Sequence, residues 1–143
     1  MNSINGQCSC GSIRYSFTGE PLNVSLCYCN GCRRSSSSAF TTNILVLESN
    51  FVSTAGTPKA FKRKGGSGNE GSEHFCPDCG AQLYVTSNAA PGIVIIKAGT
   101  LDDWRLNDTK FKPTVEIFCQ YKYNWLPDIG GTTKFEGAMP TGA

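Results

Sequence analysis

The chain has 143 residues, a formal net charge of +2, 39% hydrophobic residues and eight cysteines. That length supports one domain with a modest core, and a charge so near neutrality, with no basic face or stripe, gives no reason to expect a nucleic-acid partner. No apolar run approaches the roughly 20 residues of a membrane-spanning helix, the longest lying around Ile93-Val94-Ile95-Ile96, so a soluble protein without a membrane partner is expected.

Taken in chain order, the first segment, Met1 to Gln7, has neither a basic stretch nor an apolar core and does not read as a signal peptide, which points to a cytoplasmic protein with reduced thiols. A first cysteine pair, Cys8-Ser9-Cys10, precedes the alternating run Ile13-Arg14-Tyr15-Ser16-Phe17, a predicted strand. Three further cysteines follow within one six-residue loop, Cys27-Tyr28-Cys29-Asn30-Gly31-Cys32. Strands are predicted over Phe40 to Leu47, Phe51-Val52-Ser53 and Lys59 to Arg63. The basic cluster Lys59, Lys62, Arg63 and Lys64 reads as a solvated strand or loop, with contact to a substrate carboxylate as the alternative. Lys64 to Ser72 is glycine-rich and is expected to be a flexible hairpin connection, the alternative being a lid. The last pair, Cys76-Pro77-Asp78-Cys79, is followed by predicted strands at Gln82 to Thr86, Ile93 to Ala98 and Thr114 to Phe118, separated by turn residues. Beyond Trp125 the composition turns to glycine and proline, so 127–143 reads as a tail of a single domain spanning 1–143, adding little core and in part disordered. Helical periodicity is nearly absent, and the fold class is mainly β.

Seven of the eight cysteines thus fall into three tight clusters. Cysteines one or two residues apart strain a disulfide ring but both reach a metal at about 2.3 Å, so zinc is favoured over a disulfide framework. A closed tetrahedral site consumes four thiolates, which leaves three for a second site with an open position. Spacing alone does not fix which four close. Cys76-Pro77-Asp78-Cys79-Gly80 has the turn of a zinc knuckle, its glycine permitting a conformation that a side chain opposes, and Cys8 with Cys10 is the natural second pair.

The ordered motifs Gly6-Gln7-Cys8-Ser9-Cys10-Gly11, Cys27-Tyr28-Cys29-Asn30-Gly31-Cys32-Arg33-Arg34, Phe75-Cys76-Pro77-Asp78-Cys79-Gly80 and Gly99-Thr100-Leu101-Asp102-Asp103 closely resemble the glutathione-dependent formaldehyde-activating enzyme family, also called the centromere protein V family. The resemblance runs from about Gly6 to Trp125. It implies an Mss4-like fold of packed antiparallel β-sheets stapled by zinc, with two zinc ions per chain. Cys8, Cys10, Cys76 and Cys79 would hold the structural ion, and Cys27, Cys29 and Cys32 the catalytic one. It also implies carbon–sulfur lyase or synthase chemistry on a glutathione adduct of formaldehyde, with glutathione as co-substrate. Two positions depart from the family: Tyr28 stands where histidine is common, and Glu116-Ile117 where His-Ile is frequent.

Zinc with three thiolates carries a net charge of about −1, which makes it a weak acidifier of water and a better partner for thiol chemistry. In that setting Tyr28 is a candidate hydrogen-bond donor to a developing alkoxide and Glu116 a candidate proton shuttle. Arg33 and Arg34 follow the three-cysteine loop and are candidates for a substrate carboxylate. His74 is the only histidine; it reads as a strand or turn residue, with a fourth-ligand role as the alternative. Cys119 reads as a buried small hydrophobe, and Asp102-Asp103 as a turn. Two other functions remain open: a zinc-dependent tailoring enzyme acting on a larger carbonyl or epoxide metabolite, and a non-catalytic Mss4-like binding module.

Overall fold

Short strands of alternating character dominate the computed structural model, which describes residues 2–64 and 68–140. In chain order they are β1 (Ile4–Gln7), β2 (Arg14–Phe17), β3 (Asn23–Cys27), β4 (Thr41–Leu47), β5 (Phe51–Ala55), β6 (Lys59–Lys64), β7 (Glu70–Phe75), β8 (Gln82–Ser87), β9 (Ile93–Lys97), β10 (Val115–Ile117) and β11 (Thr133–Lys134), with one α-helix, α1 (Asn30–Ser36), between β3 and β4. A small sheet is ordered β1-β2-β5 and a large one β11-β10-β3-β4-β9-β8-β7-β6. Pairing is antiparallel except at β10, which runs parallel to both β3 and β11. A mainly β, two-sheet architecture is therefore established, consistent with an Mss4-like fold.

Side chains alternate across a strand, and register partners share a face, so one set of residues can be followed across the large sheet. On one face Val24 of β3 lies opposite Ile44 of β4, and Ile44 opposite Ile96 of β9. These residues join Tyr15 and Phe17 of the small sheet, and Phe111, in the buried core. Each fully buried aliphatic side chain contributes about 1.5–3 kcal/mol. The opposite face carries polar residues. Cys27 lies opposite Thr41, Ser25 opposite Asn43, and Asn43 opposite Lys97. The same face continues through Ile95, Val85 and Glu73.

Alternation foretells β2 and β8, and β-branched content β4, but four strands and the helix differ from the sequence reading. β1, β3, β7 and β11 were not expected. Glu70, Gly71 and Ser72, read as part of a loop, belong to β7, which pairs with β6 in a hairpin; residues 65–67 of that connection lie outside the described residues. The three-cysteine segment is not one loop: Cys27 ends β3, Cys29 caps α1, and Cys32 lies within the helix. Asn, Gly and Ser are poor helix formers, and a hydrogen bond from the Cys32 N–H to the Cys29 sulfur at 3.4 Å offsets this by capping the first turn. The tail, expected to be in part disordered, contributes β11 to the large sheet; residues 141–143 lie outside the described residues.

Candidate metal centres

The first cluster bridges the two sheets. Cys8 and Cys10 lie in the β1–β2 connection, and Cys76 and Cys79 in the β7–β8 connection. All four sulfurs lie within 4.8 Å of one another. Sγ–Sγ distances of 3.6 Å for Cys8–Cys10 and 3.7 Å for Cys10–Cys76 match the edge of a tetrahedron with metal–sulfur bonds of about 2.3 Å, which is about 3.8 Å. Gly11 and Gly80 turn the chain after each pair with φ of +79°, the left-handed conformation that only glycine adopts freely. Backbone N–H groups of Ile13, Asp78 and Cys79 point at the Cys8 and Cys76 sulfurs at 3.3–3.4 Å. Burial works against a Cys8 thiolate, yet the Ile13 N–H and the Ser12 hydroxyl bring its pKa down to about 6. Turn geometry, donor set and spacing all fit a tetrahedral metal.

Cys27, Cys29 and Cys32 form the second cluster, also within 4.8 Å of one another. β3 fixes the first thiol and α1 the other two. Cys27 and Cys32 are buried and Cys29 is half-buried, so Cys29 stands on the open side. Hydrogen bonds from the Cys27 and Cys29 thiols, helped by the charge of Lys97 and the Thr41 hydroxyl, outweigh burial and hold Cys32 far below the usual thiol range. Hydrogen bonds to Cys29 and Cys32, together with burial, push Cys27 well above it. Three soft donors converging without a fourth among the described residues fit a metal with an open position.

Around this cluster the structure adds residues that the sequence reading missed. Lys97 is 8% exposed, and its ammonium donates to Asn43 Oδ1 at 2.9 Å and Thr41 Oγ1 at 3.5 Å. The available sign was a lysine closing the apolar run Ile93 to Ile96, with Thr41 and Asn43 alternating on β4. Arg63, one residue of the basic run, turns inward and pairs with buried Glu73 at 2.7 Å. Burial alone lowers its pKa, but the Glu73 hydrogen bond and charge raise it, and Cys32 and Cys29 add to the effect. Its guanidinium lies against Gly31 of α1, where a Cβ would come within 2.2 Å of Nη1.

Tyr28 and Glu116, the two positions that depart from the family pattern, form one hydrogen-bonded pair: the Tyr28 hydroxyl donates to Glu116 Oε1 at 2.5 Å. Glu116 lies opposite Leu26 in the β3–β10 register while Ile117 lies opposite Cys27, so alternation directs Glu116 to the face opposite the Cys27 thiol. Glu116 is 0% exposed, a buried carboxylate held in ion pairs. It accepts from the Thr132 hydroxyl and lies 3.7 Å from Lys122 and 3.4 Å from Lys134. Burial raises its pKa, but hydrogen bonds from Thr132, Tyr28 and Lys134 and the charge of Lys122 more than offset this and hold the carboxyl below its ordinary range.

Arg33 is committed to the protein. Its guanidinium donates to the Tyr28 and Tyr121 carbonyls and to Asn30 Oδ1, and lies over the Tyr123 ring at 5.3 Å. Arg34 is exposed beside it. His74 stacks on Tyr84 at 4.4 Å and bonds Thr86 through Nε2, as a strand residue on the core-facing side. Cys119 is half-buried and outside both clusters, its thiol pushed up first by burial and then by the charge of Glu116. Asp103 caps a 3-10 turn by accepting from the Arg105 N–H.

A two-sheet β scaffold carrying one four-thiolate and one three-thiolate centre defines a small thiolate-rich protein able to hold two metal ions. The chain belongs to the glutathione-dependent formaldehyde-activating enzyme family, whose model matches residues 3–121. Among solved structures, a Rhodobacter sphaeroides protein from structural genomics shares the fold, with a TM-score of 0.55 and 20% identity over 69% of this chain and 88% of that one. No curated protein matches the sequence. Among the described residues, no helix is long and apolar enough to cross a membrane.

Proposed function

We propose that the protein is a cytoplasmic, zinc-dependent carbon–sulfur lyase or synthase that acts on the glutathione adduct of a small aldehyde. The observation that carries this reading is the three-thiolate cluster itself, three converging sulfurs with half-buried Cys29 on the open side. Zinc held by Cys27, Cys29 and Cys32 would supply a fourth position at which a substrate thiol is kept as thiolate at neutral pH.

Forming the adduct joins sulfur to the carbonyl carbon and moves the π pair to oxygen, which takes up a proton; the lyase direction reverses each change. The chain's own part is to hold the three sulfurs convergent and to present positive charge to an anionic tripeptide. Capping by Cys29 and the seating of Arg63 on Gly31 do the first. Exposed Arg34 on α1 is placed for the second, whereas Arg33 is occupied in joining α1 to the Tyr121 segment. Tyr28 and Glu116 act on this reading as a clamp behind the loop, since each satisfies the other on the face opposite the Cys27 thiol.

One observation favours a second reading, a tailoring enzyme for a larger metabolite. Tyr123 and Trp125 stack at 5.7 Å, both exposed, next to Arg33 on the three-cysteine side, and such a platform suits a planar substrate better than formaldehyde. Titration of the zinc-loaded protein with glutathione, followed by NMR, separates the two. Shifts confined to Cys27 to Cys32 and α1 support the thiol adduct; a spectrum that glutathione leaves unchanged removes it. Cys29→Ala should abolish activity and keep the fold, whereas Cys79→Ala should unfold the protein. If both variants merely unfold, the division of labour between the clusters is wrong.

A further inference from the structure

We propose that Lys97 is the built-in countercharge of the three-cysteine site and sets its affinity for an anionic fourth ligand. The inference deepens the reading of that site as a thiolate-binding centre, and rests on it. Burying an ammonium without a compensating negative charge costs several kcal/mol. Yet the two hydrogen-bond acceptors of Lys97, Asn43 Oδ1 and Thr41 Oγ1, are both neutral. Among the described residues every ion pair joins other side chains. The other inward-turned cation on this face, half-buried Arg63, has its own carboxylate in Glu73. Lys97 is left to balance the cysteine cluster, with which it shares one face of the sheet.

Hydrogen-bond direction links the two. An ammonium only donates, so Thr41 Oγ1 accepts from Lys97 and its single hydrogen is free for the Cys32 sulfur, with which Thr41 is in hydrogen-bond contact. Positive charge is thereby passed to the sulfur through one hydroxyl, a charge-assisted chain. A divalent ion with three thiolates carries about −1, a charge that repels an incoming thiolate; the ammonium brings the assembly to about 0. A neutral assembly accepts a fourth anionic ligand without that repulsion.

The test uses cobalt-substituted protein, whose visible spectrum reports the fourth ligand, titrated separately with azide and with glutathione. Lys97→Met should weaken azide binding roughly tenfold or more, the scale of one lost charge interaction at short range. Lys97→Arg should retain most of the affinity. Asn43→Asp leaves the lysine in place but hands it a carboxylate, and should weaken azide as Lys97→Met does; it carries the test if Lys97→Met fails to fold. Variants that melt lower yet bind azide like wild type would reduce Lys97 to a structural residue and overturn the proposal. Wild type that binds azide but not glutathione removes the glutathione reading and leaves Lys97 in its role, provided the variants lose azide. Wild type that binds neither overturns both.

Discussion

A methyl group added at Gly6 would lie 2.2 Å from the Cζ and hydroxyl oxygen of Tyr15. That ring cannot yield, because it is buried, stacks on Phe51 at 5.6 Å and bonds Thr100 through its hydroxyl at 2.6 Å. Gly6→Ala is expected to destabilise the protein by about 1–3 kcal/mol through overpacking, seen as a lower denaturant midpoint at unchanged slope. Gly31 meets an equally close neighbour, but the atom is the end of the Arg63 side chain. There the strain is relieved by pushing the guanidinium away from Glu73, so global stability should change less and the three-cysteine site should suffer. Metal analysis of Gly31→Ala is expected to return close to one equivalent per chain, the four-thiolate centre keeping its share. Two full equivalents would show that Arg63 does not support α1.

At the scale of elements, one buried carboxylate fastens the C-terminal strand beside its backbone bonds. Among the described residues β11 pairs only with β10, and a two-residue strand is too short to hold by its ladder bonds alone. Glu116 binds Thr132 and Lys134 on either side of Thr133, and so fastens both ends of that strand. Its pKa is lower in the folded protein than the 4.5 of a free glutamate. The stabilisation is therefore complete above about pH 4.5 and is lost as pH falls through the folded value. Hydrogen exchange at Thr133, whose N–H bonds Thr114 O, and at Phe135, whose N–H bonds Glu116 O, should report this locally. After correction for intrinsic rates, both amides are expected to lose protection below pH 4.5 while β4 keeps its own. Glu116→Gln should lose that protection already at neutral pH, at a cost of about 1–3 kcal/mol; equal protection in wild type and variant would refute the clamp. None of this was legible in the tail's composition, since its strand is recruited by a buried acid and not by periodicity. β3 was missed for a related reason. Val24, Ser25, Leu26 and Cys27 are buried on both faces, so no alternation marks them, and β7 is polar because its hairpin with β6 is largely solvated.

For the whole molecule, the count of four plus three cysteines was readable from the sequence, and the knuckle at Cys76 to Cys79 marked one half of the closed site. What the residues could not show is that the two centres differ in reach. The four-thiolate centre ties the small sheet to the large one by joining Cys10 to Cys76, whereas the three-thiolate centre closes only the short span from Cys27 to Cys32. A crosslink stabilises in proportion to the chain entropy it removes from the unfolded state, and that grows with the loop it closes. Metal at Cys8, Cys10, Cys76 and Cys79 would therefore act on the fold, and metal at Cys27, Cys29 and Cys32 would act mainly on function. Access points the same way, because a fourth, open position lets a chelator begin displacement with no thiolate yet released. Graded chelation is expected to remove one equivalent first, with loss of activity and little change in melting temperature. Removal of the second equivalent should bring a large drop in melting temperature and the separation of the sheets, read as loss of near-ultraviolet circular dichroism from Tyr15 and its neighbours. A single melting change that tracks the first equivalent would place the staple at the wrong centre.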